Sequence, residues 1–273
     1  MWLSGATVKI VADKERVSKN TVRRKNYFYL NNPPIIKIPD IKESHLLIDA
    51  TYFKKNNCLT IYFDHNKSIP LFWRYSSSEA AEEITGDLYT IKEKGIVIKS
   101  ITSDGHKSIK KAVSIVFPDI FHQRCLVHIE RFSLTHLTKR PKTLAGKHLR
   151  LIVKILLKIK NYNQKILFED LYKLWFDKFS NFIKEKSYDV EHKHWWYTHK
   201  NLRKVVRHIE NALPDMFYYL GDKNIPKTTN GLEGRFNFLK HHLNSHRGLS
   251  KSKRKNYFDW YLSNRFIHNF NDF

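Results

Sequence analysis

Apolar residues after position 45 recur with two different spacings, which alternate along the chain. Three runs rich in β-branched and aromatic residues come first, at 46–53, 58–64 and 69–75. Runs of this length and composition are typical of strands. The polar segments between them are short, so the three runs predict an antiparallel meander.

The next segments combine helical and strand spacing. A helix is predicted that Ser76 or Ser78 would cap and Gly95 would end. A strand at 96–102, a second amphipathic helix and a short strand at 120–125 follow. The predicted order is β-β-β-α-β-α-β. This is the order of the ribonuclease-H-like fold, a mixed α/β sheet, whose first part would occupy residues 40–125.

Helical spacing dominates the rest of the chain. Residues 126–227 contain no strand pattern, so they are predicted to form an all-helical insertion. A closing helix is predicted to begin near Asn230. With the aromatic-rich segment after it, this helix would complete the core over residues 228–273. Its apolar face would consist of Leu232, Phe236, Leu239 and Leu243.

The first 31 residues predict two short helices. Ser18 would cap the second of them, which carries Arg23 and Arg24. Two helices with a basic second member fit part of a helix-turn-helix that reads the major groove of DNA, and they fit a basic surface helix equally well. The third helix of such a module is missing, so we expect a shortened DNA-binding region over 1–31.

The charge balance narrows the class of partner. The chain has 49 Lys and Arg against 26 Asp and Glu, a net charge of +23 spread along its length. Such a field attracts polyanions. The alternative is a basic protein that contacts acidic partners or a membrane surface. The sequence has no membrane-spanning run, no signal peptide and no disulfide framework, so we expect a cytoplasmic, nucleoid-associated protein that binds nucleic acid.

Two aspartates occupy positions where catalytic carboxylates are expected. Asp49 interrupts an apolar strand, and Asp104 follows the end of another strand. If these strands are neighbours, the two carboxylates converge, and hard oxygen ligands favour Mg²⁺ or Mn²⁺ over zinc. Taken singly, each has a structural alternative. Asp104-Gly105 is a common turn signal, and Asp49 would accept hydrogen bonds from basic side chains.

Two further features permit more than one interpretation. Glu233 follows Asn230 by three residues, which fits a capping box, yet it also lies at the edge of the buried helix face. Cys125 and His128 have the spacing of half a zinc site, but no second pair accompanies them. Packing or hydrogen bonding near an active site is the better interpretation of this pair.

Four motifs in order now indicate a family. They are IDAT around Asp49, TSDGHKSI around Asp104, QRCLVHIER around Cys125 and TTNGLEGRFNFLK around Glu233, with HRGLS at 246–250. Over residues 40–260 the chain resembles the bacterial Mutator-like transposases and their insertion-sequence relatives. The spacing leaves room for a helical insertion before the final Glu, as in such enzymes.

The resemblance implies a DDE transposase. Asp49, Asp104 and Glu233 would hold two Mg²⁺ or Mn²⁺ ions for DNA cleavage and 3′-end strand transfer. It also implies roles near the site for four residues. Cys125 and His128 would lie close to it without binding metal, and Thr229 and Asn230 would position the final Glu.

The same resemblance implies DNA as the partner, both the terminal inverted repeats of the element and the target. Synapsis of two ends predicts a homodimer or a higher synaptic complex. The aromatic residues at 195–197 would either stack on a distorted base or pack in the core. Contacts to the DNA backbone are expected from Arg235, Lys240, His246 and Arg247.

Two other hypotheses remain open. A truncated, non-catalytic remnant would bind DNA and pair with or inhibit full-length copies. A different nuclease of the same fold would cleave without joining, and it would not need the late insertion or the distal basic motif.

Overall fold

The computed structural model describes residues 2–53, 56–246 and 248–267, apart from the side chains of 265–267. The chain forms two compact units. The first contains Met1–Ile101, His106–Ile120 and Thr229–Phe273, and the second contains Thr102–Gly105 and Phe121–Thr228. The sequence of the second unit is therefore inserted into that of the first.

Helices and strands follow one another in the predicted order over the first half of the chain. The elements are α1 (Val8–Glu15), α2 (Lys19–Asn31), β1 (Glu43–Tyr52), β2 (Cys58–Asp64), β3 (Ile69–Ser76), α3 (Ala81–Glu93), β4 (Val97–Ser103), α4 (Lys107–Val116) and β5 (Phe121–Arg124). The later elements are α5 (Leu126–Leu137), α6 (Leu144–Ile155), α7 (Tyr162–Lys184), β6 (Lys186–Asp189), β7 (His194–Tyr197), α8 (Lys200–Glu210), α9 (Asn230–Asn244) and α10 (Lys251–Ile267).

The main sheet has five strands in the order β3-β2-β1-β4-β5. The strands β1, β2 and β3 pair antiparallel, which confirms the predicted meander. Helix α3 provides the crossover from β3 to β4, so that β4 lies beside β1. A buried hydrogen bond of 2.8 Å between the His45 ring of β1 and the Ser100 hydroxyl of β4 links these two strands. The expected mixed α/β sheet is thus present.

Both faces of the meander are covered within the first unit, which explains why every residue of β2 is buried. Alternate side chains of the strands point to opposite faces. One face packs against α9 and α10 around Trp73 and Phe258, and the other packs against α3 and α4 around Tyr62. The predicted apolar face of α9 is buried in the first of these cores, as expected: Leu232, Phe236, Leu239 and Leu243.

The amino-terminal helices form as predicted. The Ser18 hydroxyl accepts a hydrogen bond of 3.1 Å from the Thr21 N–H and caps α2. Helix α2 also packs on α10, where the Trp260 indole donates to the Tyr29 carbonyl. Arg23 and Arg24 are exposed on α2. Of the described helices, none has the length and apolar character needed to cross a membrane.

The cap predicted for α3 is wrong. Ala80 precedes the helix and offers no capping side chain. Ser76 instead donates a hydrogen bond to the carbonyl of Ser78, so the polar residues close the preceding turn. Acidic residues in the first turn, Glu82 and Glu83, provide favourable charge at this helix end.

The second unit has a helical core formed by α5 to α8. Within it, Trp175 is buried and donates a hydrogen bond of 2.9 Å to the Ala145 carbonyl. The prediction of an all-helical insertion is wrong, because β6 and β7 pair as an antiparallel hairpin. The hairpin was missed because its strands are four residues long and mostly exposed, so no apolar alternation marks them. Trp195 and Trp196 lie on β7 and are exposed, so neither packs in the core.

Candidate functional site

Asp49 lies in the middle of β1, within a run of buried residues. Its side chain is 5% exposed, and its Oδ1 accepts a hydrogen bond of 2.9 Å from the Ala50 N–H. Asp49 stands opposite Ile61 of β2, so the strand pairing fixes its backbone. A carboxylate at such a position is costly to bury without compensating partners.

Glu233 lies on the first turn of α9. Thr229 is the N-cap, is fully buried and makes no capping hydrogen bond through its side chain. The capping-box interpretation of Glu233 is therefore wrong, because α9 starts at Asn230 and Glu233 is its fourth residue rather than its third. Burial of the neighbouring Leu232 fixes the direction in which this turn faces.

The first unit brings the carboxylates of Asp49 and Glu233 together. One oxygen of each lies within 4.8 Å of the other. Two carboxylates at this separation repel each other, and a divalent cation relieves that repulsion. Both donors are hard oxygens, one of them buried, so the pair fits Mg²⁺ or Mn²⁺.

Asp104 belongs to the second unit and directly follows β4. Its neighbour Gly105 has a φ of 74°, a conformation that glycine adopts readily, and the chain turns sharply there. The Gly105 N–H donates a hydrogen bond of 3.0 Å to the Ser103 hydroxyl, which is also 2.7 Å from the His122 ring. These contacts hold the turn that presents Asp104, whose side chain is half-buried.

Arg124 is a charged residue near Asp104 that the sequence predictions missed. It ends β5 and is 4% exposed. Its side chain packs over Gly105 so closely that a Cβ there would lie 2.0 Å from the Arg124 Nε. Burial lowers the pKa of Arg124, and the negative charge of Asp104 opposes that shift. The signal that was available is a charged residue at the end of a short predicted strand, in the QRC motif.

Cys125 and His128 lie at the start of α5. Cys125 is fully buried, and its N–H donates a hydrogen bond of 2.7 Å to the Ser103 carbonyl. Across the part of the chain that the structure describes, no group of potential metal ligands includes Cys125, which favours packing over half a zinc site. His128 is half-buried on the first turn of the helix.

The residues expected to contact DNA lie in different surroundings. Arg235 stacks its guanidinium over Phe63 at 4.2 Å and donates to the Gly231 carbonyl. His246 lies 2.9 Å from the Trp2 carbonyl, and burial lowers its pKa. Arg247 lies outside the described residues.

A cleft of about 440 Å³ in the first unit contains Lys240. Its Nζ lies 5.9 Å from the centre of the Phe53 ring. His246 and Arg254 also line the cleft, so three basic side chains surround it. DNA contact by any of these residues, and by Arg23 and Arg24 of α2, stays a prediction.

Comparison with known proteins shows which family part of the chain resembles. Residues 58–184 match a family model described as "Transposase, Mutator family". The match supports a Mutator-like transposase. It confirms the resemblance that the motifs indicated, and it supports DNA as the macromolecule on which the protein acts. No curated protein matches the chain.

The segment that matches the family model starts at β2 and ends with α7. It includes Asp104, Cys125 and His128. Asp49 and Glu233 lie outside it, one on each side. Assignment of these two residues therefore depends on the sequence motifs and on the proximity of their carboxylates.

Proposed function

We propose that the chain is a DDE transposase that cleaves DNA strands and joins the resulting 3′ ends to target DNA. The observation that carries the proposal is the approach of the Asp49 and Glu233 carboxylates to within 4.8 Å. The surrounding protein is strongly basic, and acidic clusters in such a protein favour cations that bridge to phosphate. The Mutator-family match agrees with this activity.

The proposed ligands are Asp49, Asp104 and Glu233, and the proposal requires Asp104 to supply the third carboxylate. Two Mg²⁺ or Mn²⁺ ions bound there would stabilise the charge that develops on the attacking and leaving oxygens. The neighbouring strands β1 and β4, and the order of the elements, support a ribonuclease-H-like arrangement for these ligands.

The chain itself supplies rigid positions for the carboxylates. Pairing with β2 restrains Asp49, and the buried face of α9 restrains Glu233. Carboxylates held on strands and helices are positioned more precisely than those on loops. Arg124 acts as a positioning residue, since its guanidinium covers the Gly105 backbone and places a positive charge near the Asp104 carboxylate.

The proposed reaction has two steps of the same chemistry. Water attacks a phosphodiester and the 3′ oxygen leaves with a proton, which exposes a 3′-hydroxyl. That hydroxyl then attacks a phosphodiester of the target, and the target's own 3′ oxygen leaves. Proposed partners are the element ends, the target DNA and a second copy of the chain, with the exposed Arg23 and Arg24 of α2 against the DNA backbone.

Strand transfer in vitro tests the proposal. Duplexes carrying the inverted repeats that flank the coding sequence are incubated with the purified chain, plasmid target and Mg²⁺ or Mn²⁺. Joined products are expected with metal and absent with EDTA. Asp49→Asn, Asp104→Asn and Glu233→Gln are each expected to lower joining by about a thousandfold or more, roughly 4 kcal/mol of barrier. Asp119→Asn, which changes an exposed acid after α4, is the matched control and is expected to join normally.

The outcomes separate the three hypotheses. DNA binding that persists while no metal-dependent joining occurs would indicate a non-catalytic DNA-binding protein. Cleavage of RNA–DNA hybrids without joining would indicate a different nuclease. Joining that survives all three substitutions would refute the assigned carboxylates.

A further inference from the structure

A groove of about 490 Å³ in the second unit has no role in the activity proposed above. Helix α8 forms one wall, α5 forms another, and β7 contributes its last residue. The lining residues on α8 recur at helical spacing along one face and continue just beyond its end: Lys200, Arg203, Lys204, Arg207, His208 and Asn211. The opposite face of α8 is buried in the core of the unit.

The groove carries positive charge without acidic residues in its lining. Lys200, Lys204 and Arg207 are exposed and make no ion pair or side-chain hydrogen bond with other described residues. Arg203 instead stacks on the Tyr197 ring at 3.5 Å. Three cations along one helix face without counter-charges attract a chain of several phosphates more strongly than they attract an isolated anion.

Aromatic side chains lie beside these cations. Phe132 of α5 is 36% exposed, with its ring 4.1 Å from that of His208. Tyr197 lines the groove, and its ring contacts Trp195 edge-on at 5.4 Å. Trp195 is itself 48% exposed on the same face of the strand. Aromatic faces next to a basic track are the features that bind unpaired nucleic acid, whose bases are free to stack.

His208 adds a polar group to the floor of the groove. Burial and, to a smaller extent, the nearby charge of Arg124 lower the pKa of His208 to about 4. The imidazole is therefore neutral at physiological pH, and its Nε2 is buried without a hydrogen-bond partner among the described residues. The His208 ring therefore adds an uncharged surface to the groove, whereas the lysines and arginines supply the charge for phosphates.

We propose that this groove binds an unpaired stretch of DNA strand, with backbone phosphates on Lys200, Lys204 and Arg207 and a base against Phe132 and Tyr197. The proposal rests on the proposed function, because strand cleavage and joining expose single strands that need a binding surface. It assigns the second unit a substrate-binding role that requires no metal.

Fluorescence anisotropy of the full chain tests the groove. A labelled unstructured single strand and its blunt duplex are titrated in EDTA. The triple variant Lys200→Gln, Lys204→Gln, Arg207→Gln is expected to lose at least about tenfold in affinity for the single strand and much less for the duplex. Its salt dependence should fall by about 2 in log–log slope, since each phosphate contact on a single strand contributes about 0.7.

A matched control separates the groove from general charge. The triple variant Lys158→Gln, Lys173→Gln, Lys184→Gln removes three exposed lysines of the same unit that do not line the groove. It is expected to bind the single strand almost normally. Equal losses in the two triple variants, or equal losses on single strand and duplex, would overturn the proposal.

Aromatic variants test the base contact independently of charge. Phe132→Leu and Tyr197→Leu are expected to weaken single-strand binding by about fivefold or more each. Trp196→Leu lies on the same hairpin but outside the groove, and it should change nothing. Normal binding by both groove variants would also overturn the proposal.

Because these binding measurements need neither metal nor activity, the transposase reaction and the single-strand groove can each be refuted without refuting the other. Single-strand binding that depends on the groove, in a chain that joins no DNA, contradicts only the transposase reaction. A groove triple variant with unchanged single-strand affinity, in a chain that joins DNA, contradicts only the groove.

Discussion

The two units differ in the sign of the charged side chains that they bury. The first unit buries several acids, and basic side chains of the same unit donate hydrogen bonds to two of them. Asp87 is fully buried and accepts hydrogen bonds from Arg74 at 2.8 Å, and Asp259 accepts one from Lys255 at 2.7 Å. Asp49 differs from both, because a second carboxylate, that of Glu233, lies within 4.8 Å of it.

The second unit buries a base. Arg124 is 4% exposed, and its Nε makes no hydrogen bond to any described residue. Among the residues described for this unit, no Asp or Glu is buried. Under the proposed function, these charges are expected to have different roles. The paired charge of Asp87 is expected to stabilise the fold, whereas Asp49, close to the like charge of Glu233, and Arg124, near Asp104, are expected to contribute mainly to the reaction.

The largest effect on stability is expected from Asp87→Ala. Removing this carboxylate leaves Arg74 and the buried Tyr62 hydroxyl without their acceptor. Breaking a buried pair in this way lowers the free energy of unfolding by about 3–5 kcal/mol. Urea denaturation measures it, with Glu93→Ala on the exposed end of the same helix as a control. Similar urea midpoints for Asp87→Ala and Glu93→Ala would contradict the view that the buried charges of the first unit stabilise its fold.

Arg124→Met is expected to act in the opposite direction. Replacing a buried cation whose Nε has no hydrogen-bond partner by an apolar side chain is expected to leave the free energy of unfolding unchanged or to raise it by up to about 4 kcal/mol. Strand joining is expected to fall, because Asp104 loses a neighbouring positive charge. Denaturation and joining assays on the same preparation check both effects. A large loss of stability would class Arg124 with Asp87 as a structural charge.

The lowered pKa of His208 predicts how the free energy of unfolding depends on pH. Burial lowers its pKa from 6.5 to about 4 in the folded protein. Between these values the unfolded chain binds a proton that the folded protein does not, so the contribution of His208 to stability is complete above pH 6.5 and is lost as the pH falls toward 4. Unfolding midpoints of the parent and of His208→Gln, compared from pH 7 to 4, check this. Parallel curves would contradict it.

The smallest effect is expected at the surface, where no buried charge is involved. Ser18→Ala removes the 3.1 Å cap of α2 and is expected to lower the free energy of unfolding by about 1 kcal/mol. Thr7→Ala removes the longer cap of α1, 3.4 Å, and should cost less. These two changes set the baseline for ordinary polar contacts. An effect of Ser18→Ala as large as that of Asp87→Ala would mean that burial does not govern the difference.

The elements that the sequence predicted well are those with a single strong signal. The apolar runs placed β2 at its observed bounds, and helical spacing identified the buried face of α9. The cap at Ser18 followed from local chemistry alone. These features depend on residues close together in the sequence, so one chain without relatives is sufficient to predict them.

Other features depend on contacts between distant residues and were missed. The hairpin of β6 and β7 is exposed and short, so it lacks the alternation that marks a half-buried strand. The packing of Arg124 over Gly105 joins two segments that are not adjacent in the sequence. The groove on α8 combines a predictable basic face with Phe132 and Tyr197, which come from other elements.

The insertion of one unit into the sequence of the other also affects how the protein is made on the ribosome. The strands β1 to β3 emerge early, and the core residues Trp73 and Phe63 emerge with them. Their partners on α9, Leu232 and Phe236, are translated only after the whole second unit. At a translation rate of about 5–20 residues per second, the apolar face of the nascent sheet stays uncovered on the order of ten seconds or more, until α9 is synthesised. We expect chaperones to bind this face during that interval, and slower translation of the insertion to lengthen the time for which they are needed.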